Sequence, residues 1–257
     1  MKRFNFFVLM LLFCQMAFSA EIVKLTDEAS IDKVIKEMTL EEKAKLVCGM
    51  GMTSKKVPGA VGSTYEIPRL GIPELVVSDG PAGLRLGGTF SGVKAVYATA
   101  FPIPAAMAST WDLDLLNKVG VAMGAESKAF GVDVLLGPAF NIKRDPLNGR
   151  NFEYLTEDPY LNGRLAAAIV KGIQSEGVGV SIKHFAVNNQ ETNRMSINEV
   201  VSERALREIY LSAFEYIVKN SDPWTVMSSY PKINGTHGAQ NKYLLTDILK
   251  NEWKFNG

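Results

Sequence analysis

One stretch, residues 137–194, decides the fold: GPAFNIKRDPLNGRNFEYLTEDPYLNGRLAAAIVKGIQSEGVGVSIKHFAVNNQETNR. Apolar runs at 132–136 and 178–182 predict two β-strands, one just before this stretch and one inside it. Between the two strands, Asp158 is expected to cap a helix that ends at Gly177. This order of strand, loop, helix and strand predicts parallel strands joined by a right-handed crossover.

Charged side chains crowd the loops that follow these two strands. Both loops leave the carboxyl end of a strand, so we expect their side chains on one rim of the sheet. Open α/β folds bind ligands at that rim, and this density of charge indicates a site for a polyol or an anion. The residues expected there are Arg144, Asp145, Arg150, Glu153, Lys183, His184 and Arg194.

The same alternation extends along the chain in both directions. A polar cluster follows each expected strand, as in a (β/α) barrel whose functional residues gather on the C-terminal rim. A doubly wound sheet is the alternative, but the sequence contains no GxGxxG or GxxxxGK[ST] phosphate loop. We therefore predict an α/β fold of the (β/α)8 TIM-barrel type. Its further elements are strands at 74–77 and 225–227 and helices starting at Asp112, Ser202 and Asn241.

Two short helices are expected before the first strand. Ser30 is expected to cap a helix that places Ile31, Val34, Ile35 and Met38 on one apolar face. A capping box at Thr39 predicts the start of the second helix.

The first residues have the pattern of an export signal. Lys2 and Arg3 precede an apolar core at 6–13, and small residues follow at 17–19. This core is shorter than the about 20 residues that a membrane span needs. We expect residues 1–19 to be a signal peptide, residues 20–257 to form one domain, and the protein to be secreted or periplasmic.

Composition excludes several classes of partner. Without residues 1–19 the chain carries 26 basic and 27 acidic groups, a net charge of −1, and it has no basic run. We therefore expect no binding to nucleic acid or to a membrane surface. Of the two cysteines, Cys14 lies in the expected signal, so Cys48 has no partner for a disulfide. The oligomeric state of the full-length protein is not predicted.

Taken alone, the rim residues allow more than one role. Lys183 and His184 suit a neutral polyhydroxy ligand, because an ammonium donates three hydrogen bonds and an imidazole donates or accepts. They would equally suit a solvated charge and a buried structural histidine. Arg150 and Arg194 would either bind a ligand or fasten loops through a carboxylate such as Glu191.

Six longer motifs together indicate a protein family. Together they resemble the N-terminal barrel domain of glycoside hydrolase family 3, in the bacterial β-glucosidase branch. The resemblance covers nearly all of residues 20–257. The motifs are SDGPAGLR at 78–85, NIKRDPLNGRNFEY at 141–154, EDP at 157–159, KHF at 183–185, NNQETNR at 188–194 and MSSY at 227–230.

The resemblance implies an exo-acting retaining β-glucosidase that binds a β-linked oligosaccharide or glucoside and needs no metal or cofactor. Ala186 follows KHF where the family branch that cleaves N-acetylglucosamine has Pro-Gly, which disfavours a hexosaminidase. Residues matching the family's sugar-binding positions are Asp79, Arg85, Arg150, Lys183, His184, Arg194 and Tyr230.

The resemblance also implies what the chain does not contain. A retaining glycosidase needs two carboxyl groups about 5–5.5 Å apart. The family places its nucleophile on the strand after a helix similar to residues 243–257, and its acid/base later still. We therefore expect the nucleophilic aspartate and the acid/base glutamate beyond Gly257. The barrel would then be incomplete at the C-terminus, and the chain inactive and poorly soluble or oligomeric.

Three alternatives remain open at this point. The first is a β-xylosidase or arabinosidase of the same family, because those sugars share hydroxyls with glucose. The second is a non-catalytic sugar-binding fragment. The third is a barrel lyase that uses Lys183 as a Schiff base, which requires a buried lysine with a lowered pKa.

Overall fold

The computed structural model describes residues 23–88 and 92–257 of the chain. The expected signal peptide, residues 1–19, lies outside the described residues. The strands are β1 (Gly62–Ser63), β2 (Val76–Asp79), β3 (Leu86–Gly88), β4 (Val93–Val96), β5 (Val134–Leu136), β6 (Gly179–Phe185), β7 (Asn198–Glu199), β8 (Thr225–Ser228), β9 (Lys232–Ile233) and β10 (Thr236–His237).

Helices alternate with the longer strands. The helix that precedes β8 begins as an α-helix, passes through a π-helical segment and returns to α-helix. The helices are α1 (Ile31–Glu37), α2 (Leu40–Cys48), α3 (Pro104–Ala108), α4 (Leu113–Ala129), α5 (Pro159–Ser175), α6 (Glu203–Ala205, Leu206–Leu211 and Ser212–Ser221) and the π-helical α7 (Tyr243–Glu252). Short 3₁₀ turns are Glu28–Ser30, Pro68–Leu70 and Gly238–Gln240.

The main sheet has the order β1-β2-β5-β6-β8. Its last four strands are mutually parallel, and β1 pairs with β2 in the antiparallel direction. All seven residues of β6 are buried, as expected for a parallel strand covered on both faces. The predicted order of parallel strands with helices between them is therefore confirmed, with the carboxyl ends of four parallel strands at one edge.

Predicted helix ends agree well with the structure. The side chain of Asp158 accepts a hydrogen bond from the Leu161 amide at 2.9 Å and so caps α5. Gly177 lies just past the end of α5 with a φ of +79°, which favours glycine. Thr39 forms the predicted capping box with Glu42.

The N-terminal cap was predicted one turn too late. Asp27, not Ser30, accepts the capping hydrogen bond and forms a capping box with Ser30. Ser30 makes no side-chain cap for α1. The expected apolar face is also incomplete, because Val34 and Met38 are buried while Ile31 and Ile35 are exposed.

The last described residues lie at the amino end of β8. Residues 253–257 follow α7 and form no strand. Gly257 is exposed, its carbonyl accepts a hydrogen bond from Lys250, and a Cβ on it would overlap the carbonyl oxygen of Trp224, which directly precedes β8. Gly257 is therefore no part of the carboxyl rim. That both catalytic carboxyl groups lie beyond Gly257 stays a prediction.

Helices α4 and α5 approach each other closely through glycines. A Cβ on Gly172 would overlap the carbonyl oxygen of Asn117, and a Cβ on Gly120 would overlap that of Ile169. These two positions let the helix backbones meet and anchor α5 against its neighbour. The orientation of α5 in turn fixes where the loop before it enters the rim.

This packing predicts the sign of one substitution. Gly172→Ala should lower the free energy of unfolding by about 1–3 kcal/mol, because the added methyl group has no room. Helix propensity alone would raise stability by about 1 kcal/mol. Urea unfolding measures the difference. Exposed Lys171→Ala is the control and should stay within about 0.5 kcal/mol of the wild type. A Gly172→Ala protein more stable than the wild type would refute the close contact.

Candidate functional site

An ion pair joins two strands at the carboxyl edge of the sheet. The Lys183 ammonium on β6 lies 2.7 Å from Asp79 Oδ1 at the end of β2. The Arg85 guanidinium lies 2.6 Å from the other oxygen of the same carboxylate. The lysine side chain is only 4% exposed and that of Asp79 is 22% exposed. Three of the predicted site residues therefore meet at one carboxylate.

The strand that carries Lys183 runs further than the sequence suggested. Lys183 and His184 lie inside β6, which ends at Phe185, and not in a loop after it. The pairing of β6 with β8 shifts between Lys183 and Phe185, which is a β-bulge. Bulges re-aim side chains next to functional sites. Here the bulge lies at the position that carries both predicted ligand-binding side chains.

A second cluster of charges lies on the loops after β5 and β6. Arg150 forms an ion pair with the buried Glu153 and lies 3.9 Å from Glu191. Arg194 donates to Glu191 at 2.8 Å, and its guanidinium carbon lies 5.1 Å from the centre of the Tyr230 ring. The loop-fastening role considered from the sequence is thus present. It leaves the sugar-binding role of the two arginines as a prediction.

The pKa of His184 is lowered by burial and by charges from both clusters. Burial, together with the positive charges of Arg150, Lys183 and Arg194, holds the pKa of His184 well below its usual value. The imidazole is therefore neutral at pH 7. Charges from both clusters act on this ring.

Asp79 stays ionised because burial raises its pKa less than neighbouring positive charges lower it. Burial raises its pKa, but the charge and hydrogen bond of Lys183 and the charge of Arg85 outweigh burial and lower the pKa of Asp79 overall. The carboxylate can therefore accept hydrogen bonds from hydroxyl groups while it remains paired.

Two residues expected on the rim belong to different surroundings. Arg144 donates to the Tyr210 hydroxyl at 2.6 Å. Together with Asp145 it lines a polar cavity of about 520 Å³ that also includes Glu199. Both residues follow β5, as predicted, but the loop turns before it reaches Arg150. Burial raises the pKa of Glu199 in this cavity.

Several buried polar residues near His184 were not predicted to matter. Asn141 bonds both backbone groups of His184, and the Tyr154 hydroxyl lies 3.4 Å from its Nδ1. Asn188 donates to that hydroxyl at 2.8 Å and to Glu191 at 3.1 Å. All of them belong to the long motifs around Arg150 and Arg194. Their place in these motifs was therefore a sequence signal, although the pattern of neighbouring residues does not predict which contacts they make.

The described residues form neither a metal-binding cluster nor a membrane-spanning helix. Within residues 23–88 and 92–257, the structure brings together no group of three or more His, Cys, Asp or Glu able to hold a metal ion. None of the helices in that part of the chain has the length and apolar character needed to traverse a bilayer.

Comparison with known proteins identifies the family. The family described as Glycosyl hydrolase family 3 N terminal domain matches residues 64–257. The chain belongs to glycosyl hydrolase family 3. Curated family 3 relatives include thermostable beta-glucosidase B of Acetivibrio thermocellus, 49% identical over 88% of this chain and 29% of the relative. An exo-alpha-(1->6)-L-arabinopyranosidase of Bifidobacterium longum is 50% identical over 87% of this chain and 29% of the relative.

Solved structures agree with this family 3 assignment. Beta-glucosidase 3B from Thermotoga neapolitana in complex with alpha-D-glucose has a TM-score of 0.84 and 53% identity, covering 88% of this chain and 33% of that protein. A GH3 beta-glucosidase of Bifidobacterium adolescentis has a TM-score of 0.77 at 48% identity, covering 87% of this chain and 31% of that protein. The likeness confirms the predicted (β/α)-barrel class. The chain spans about 29% of the length of these curated relatives.

The two partners of the buried ion pair should differ in importance for stability. Asp79→Ala leaves the Lys183 ammonium buried without a partner, so the free energy of unfolding should fall by about 3–5 kcal/mol. Lys183→Met leaves Asp79 paired with Arg85, so the loss should be smaller, about 1–3 kcal/mol. Urea unfolding at pH 7 measures both values. The double variant should be more stable than Asp79→Ala, and a larger loss from Lys183→Met than from Asp79→Ala would contradict the arrangement.

The lowered pKa of Asp79 predicts the direction of an acid effect. A carboxyl whose pKa is lower in the folded than in the unfolded protein stabilises the fold above the unfolded pKa. It loses this contribution as the pH falls through the folded pKa. The wild type should therefore exceed Asp79→Asn in stability by a constant amount between about pH 7 and pH 5. The difference should shrink below the ordinary aspartate value of about 3.9. Urea unfolding across this pH series tests it, and a difference that grows in acid would be the opposite result.

Proposed function

We propose that this chain supplies the glucosyl-binding half of a retaining β-glucosidase. The whole protein would release terminal non-reducing β-D-glucosyl residues from β-linked oligosaccharides or glucosides in carbohydrate catabolism. The observation that carries the proposal is the group formed by Asp79, Lys183 and Arg85 beside the neutral His184. It offers one carboxylate acceptor and several cationic donors near the carboxyl ends of the parallel strands β2 and β6, which suits an uncharged polyhydroxy ring.

The state of the carboxylates supports a binding role over a catalytic one. Asp79 is paired with Lys183 and Arg85, Glu153 with Arg150, and Glu191 with Arg194. A retaining glycosidase needs one carboxylate free to attack and one carboxyl able to donate a proton. Each of these three is occupied by at least one cation. We therefore propose that none of them is the nucleophile or the acid/base.

A pentose substrate is the second candidate. Arabinopyranosidases of Bifidobacterium match this chain as closely as the β-glucosidases do. A β-xylosyl ring lacks the C6 hydroxymethyl group of glucose but keeps its ring hydroxyls. An L-arabinopyranosyl ring also lacks that group and carries its C4 hydroxyl in the opposite configuration. Comparison of glucose with xylose and arabinose in the same binding assay separates these cases.

The proposals on export and domain organisation rest on the sequence. Export to the periplasm or the medium rests on residues 1–19, and a single barrel domain on residues 20–257. A lyase acting through Lys183 is disfavoured, because the Asp79 carboxylate holds that ammonium at 2.7 Å and family 3 members are glycosyl hydrolases.

Glucose binding tests the proposed site directly. Arg150→Lys keeps the positive charge but loses the planar fork that the guanidinium offers. Because one charge-assisted hydrogen bond contributes about 1.5–3 kcal/mol, the dissociation constant for glucose should rise about 10- to 150-fold. Titration calorimetry measures this constant. The matched control is Arg204→Lys, at an exposed arginine on α6 paired with Glu208, and it should bind like the wild type.

Two results would count against the proposed function. One is the absence of any heat of glucose binding to the folded wild-type chain. The other is turnover of an aryl β-glucoside by the 257-residue chain that Asp79→Ala abolishes, since Asp79 would then be acting in catalysis.

A further inference from the structure

The backbone of His184 is fastened by a single side chain. Asn141 Oδ1 accepts from the His184 amide at 2.8 Å, and Asn141 Nδ2 donates to the His184 carbonyl at 2.9 Å. Both residues are buried. This two-way contact fixes the peptide from which the imidazole projects. It does not by itself decide which ring nitrogen carries the proton.

The ring proton depends on one neighbouring hydroxyl. Tyr154 is fully buried, and its hydroxyl lies 3.4 Å from His184 Nδ1. The same hydroxyl lies 2.8 Å from Asn188 Nδ2 and 3.2 Å from the Asn188 carbonyl oxygen. The amide orientation of Asn188 is settled by Glu191, 3.1 Å from Nδ2, because a carboxylate only accepts.

The single proton of the Tyr154 hydroxyl can be placed by counting partners. Among the described residues, Tyr154 is the sole donor to the Asn188 carbonyl. If Tyr154 donated to His184 Nδ1 instead, this carbonyl would be left without a donor, which is costly for a buried group. If Tyr154 donates to the carbonyl, Nδ1–H donates to the tyrosine oxygen, and the Asn188 carbonyl, the Tyr154 hydroxyl and His184 Nδ1 all have partners. The tyrosine oxygen then accepts from Asn188 Nδ2 and from Nδ1, which its two lone pairs allow.

We propose that Tyr154 and Asn188 are positioning residues that hold His184 as the neutral Nδ1–H tautomer, with Nε2 as a bare acceptor for a hydroxyl of the bound sugar. The last clause rests on the proposed function, whereas the tautomer does not. In the described part of the chain no residue hydrogen-bonds Nε2, and Nε2 is not among the buried polar atoms that lack a partner. It therefore faces accessible space.

The tautomer has a consequence for recognition. Lys183, Arg150 and Arg194 can only donate hydrogen bonds. A bare Nε2 among these donors selects a ligand group that itself donates, which a hydroxyl does and an ether oxygen does not. The opposite tautomer would make Nε2 one more donor. The site would then tolerate a ligand with an ether oxygen or a fluorine at that position.

Nitrogen NMR of the wild-type protein decides the tautomer without any substitution. With ¹⁵N-labelled histidine, long-range proton–nitrogen spectra distinguish a protonated ring nitrogen from a bare one. The chain has one other histidine, His237, and the signals that vanish in His184→Gln are those of His184. We expect a protonated Nδ1 and a bare Nε2 at pH 7. A protonated Nε2 in the wild type overturns the proposal.

A variant then tests whether Tyr154 causes this state. Tyr154→Phe removes the acceptor for Nδ1–H, so the His184 signals should shift toward the Nε2–H tautomer. Tyr210→Phe is the matched control, because its hydroxyl contacts Arg144, and it should leave these signals unchanged. If folded Tyr154→Phe keeps the wild-type spectrum, Tyr154 does not position the ring.

Glucose analogues test the acceptor clause. Calorimetry with monodeoxy and deoxyfluoro glucoses should reveal a ring position where both analogues lose binding to the wild type by a similar factor, about 2- to 12-fold, since fluorine cannot donate. In Tyr154→Phe, where His184 Nε2 donates, fluorine should be tolerated at that position, whereas a position held by the Asp79 carboxylate should reject fluorine in both proteins. Fluorine tolerated at every position would overturn the acceptor role. If glucose itself does not bind, the sugar clause and the proposed function fall together, while the nitrogen spectrum still judges the tautomer.

Discussion

The rest of the site depends on the ion pair between Asp79 and Lys183. Its partners are 104 residues apart in the chain and lie on strands separated in the sheet by β5. Because an unpaired ammonium at this depth is strongly destabilising, the pair requires β2, β5 and β6 to keep one register. The geometry of the site is therefore coupled to the order of the barrel strands, and a slip in either strand would separate the charges.

Charge matching extends outward from that pair. Arg150 is neutralised by Glu153, and Arg194 by Glu191. Each guanidinium uses part of its fork on its carboxylate, which fixes its orientation and leaves other N–H groups for a ligand. The site is thus rich in oriented donors and carries little uncompensated charge. This combination suits an uncharged polyol better than an anion, which would need a surplus of positive charge.

The sequence predicted those features that depend on neighbours a few residues away. Asp158 and Thr39 cap their helices as expected because capping is a contact within one turn. The end of β6 was predicted too early, because a fully buried strand has no alternation to mark where it stops and Lys183 looked like the start of a loop. The separation of Arg144 from Arg150 was missed, since the path of a loop depends on packing across the fold.

Residues that no local pattern marks explain why the motifs that indicate the family are long. Asn141 and Tyr154 lie 43 and 30 residues before His184, yet one fixes its backbone and the other faces its ring. No local pattern marks residues of this kind, because the group they hold is distant in the chain. They are required because burying a histidine removes its access to water, so each of its polar atoms must find a partner in the protein or in the ligand. A site built on a buried imidazole therefore constrains the residues behind the ring as strictly as those on its open side.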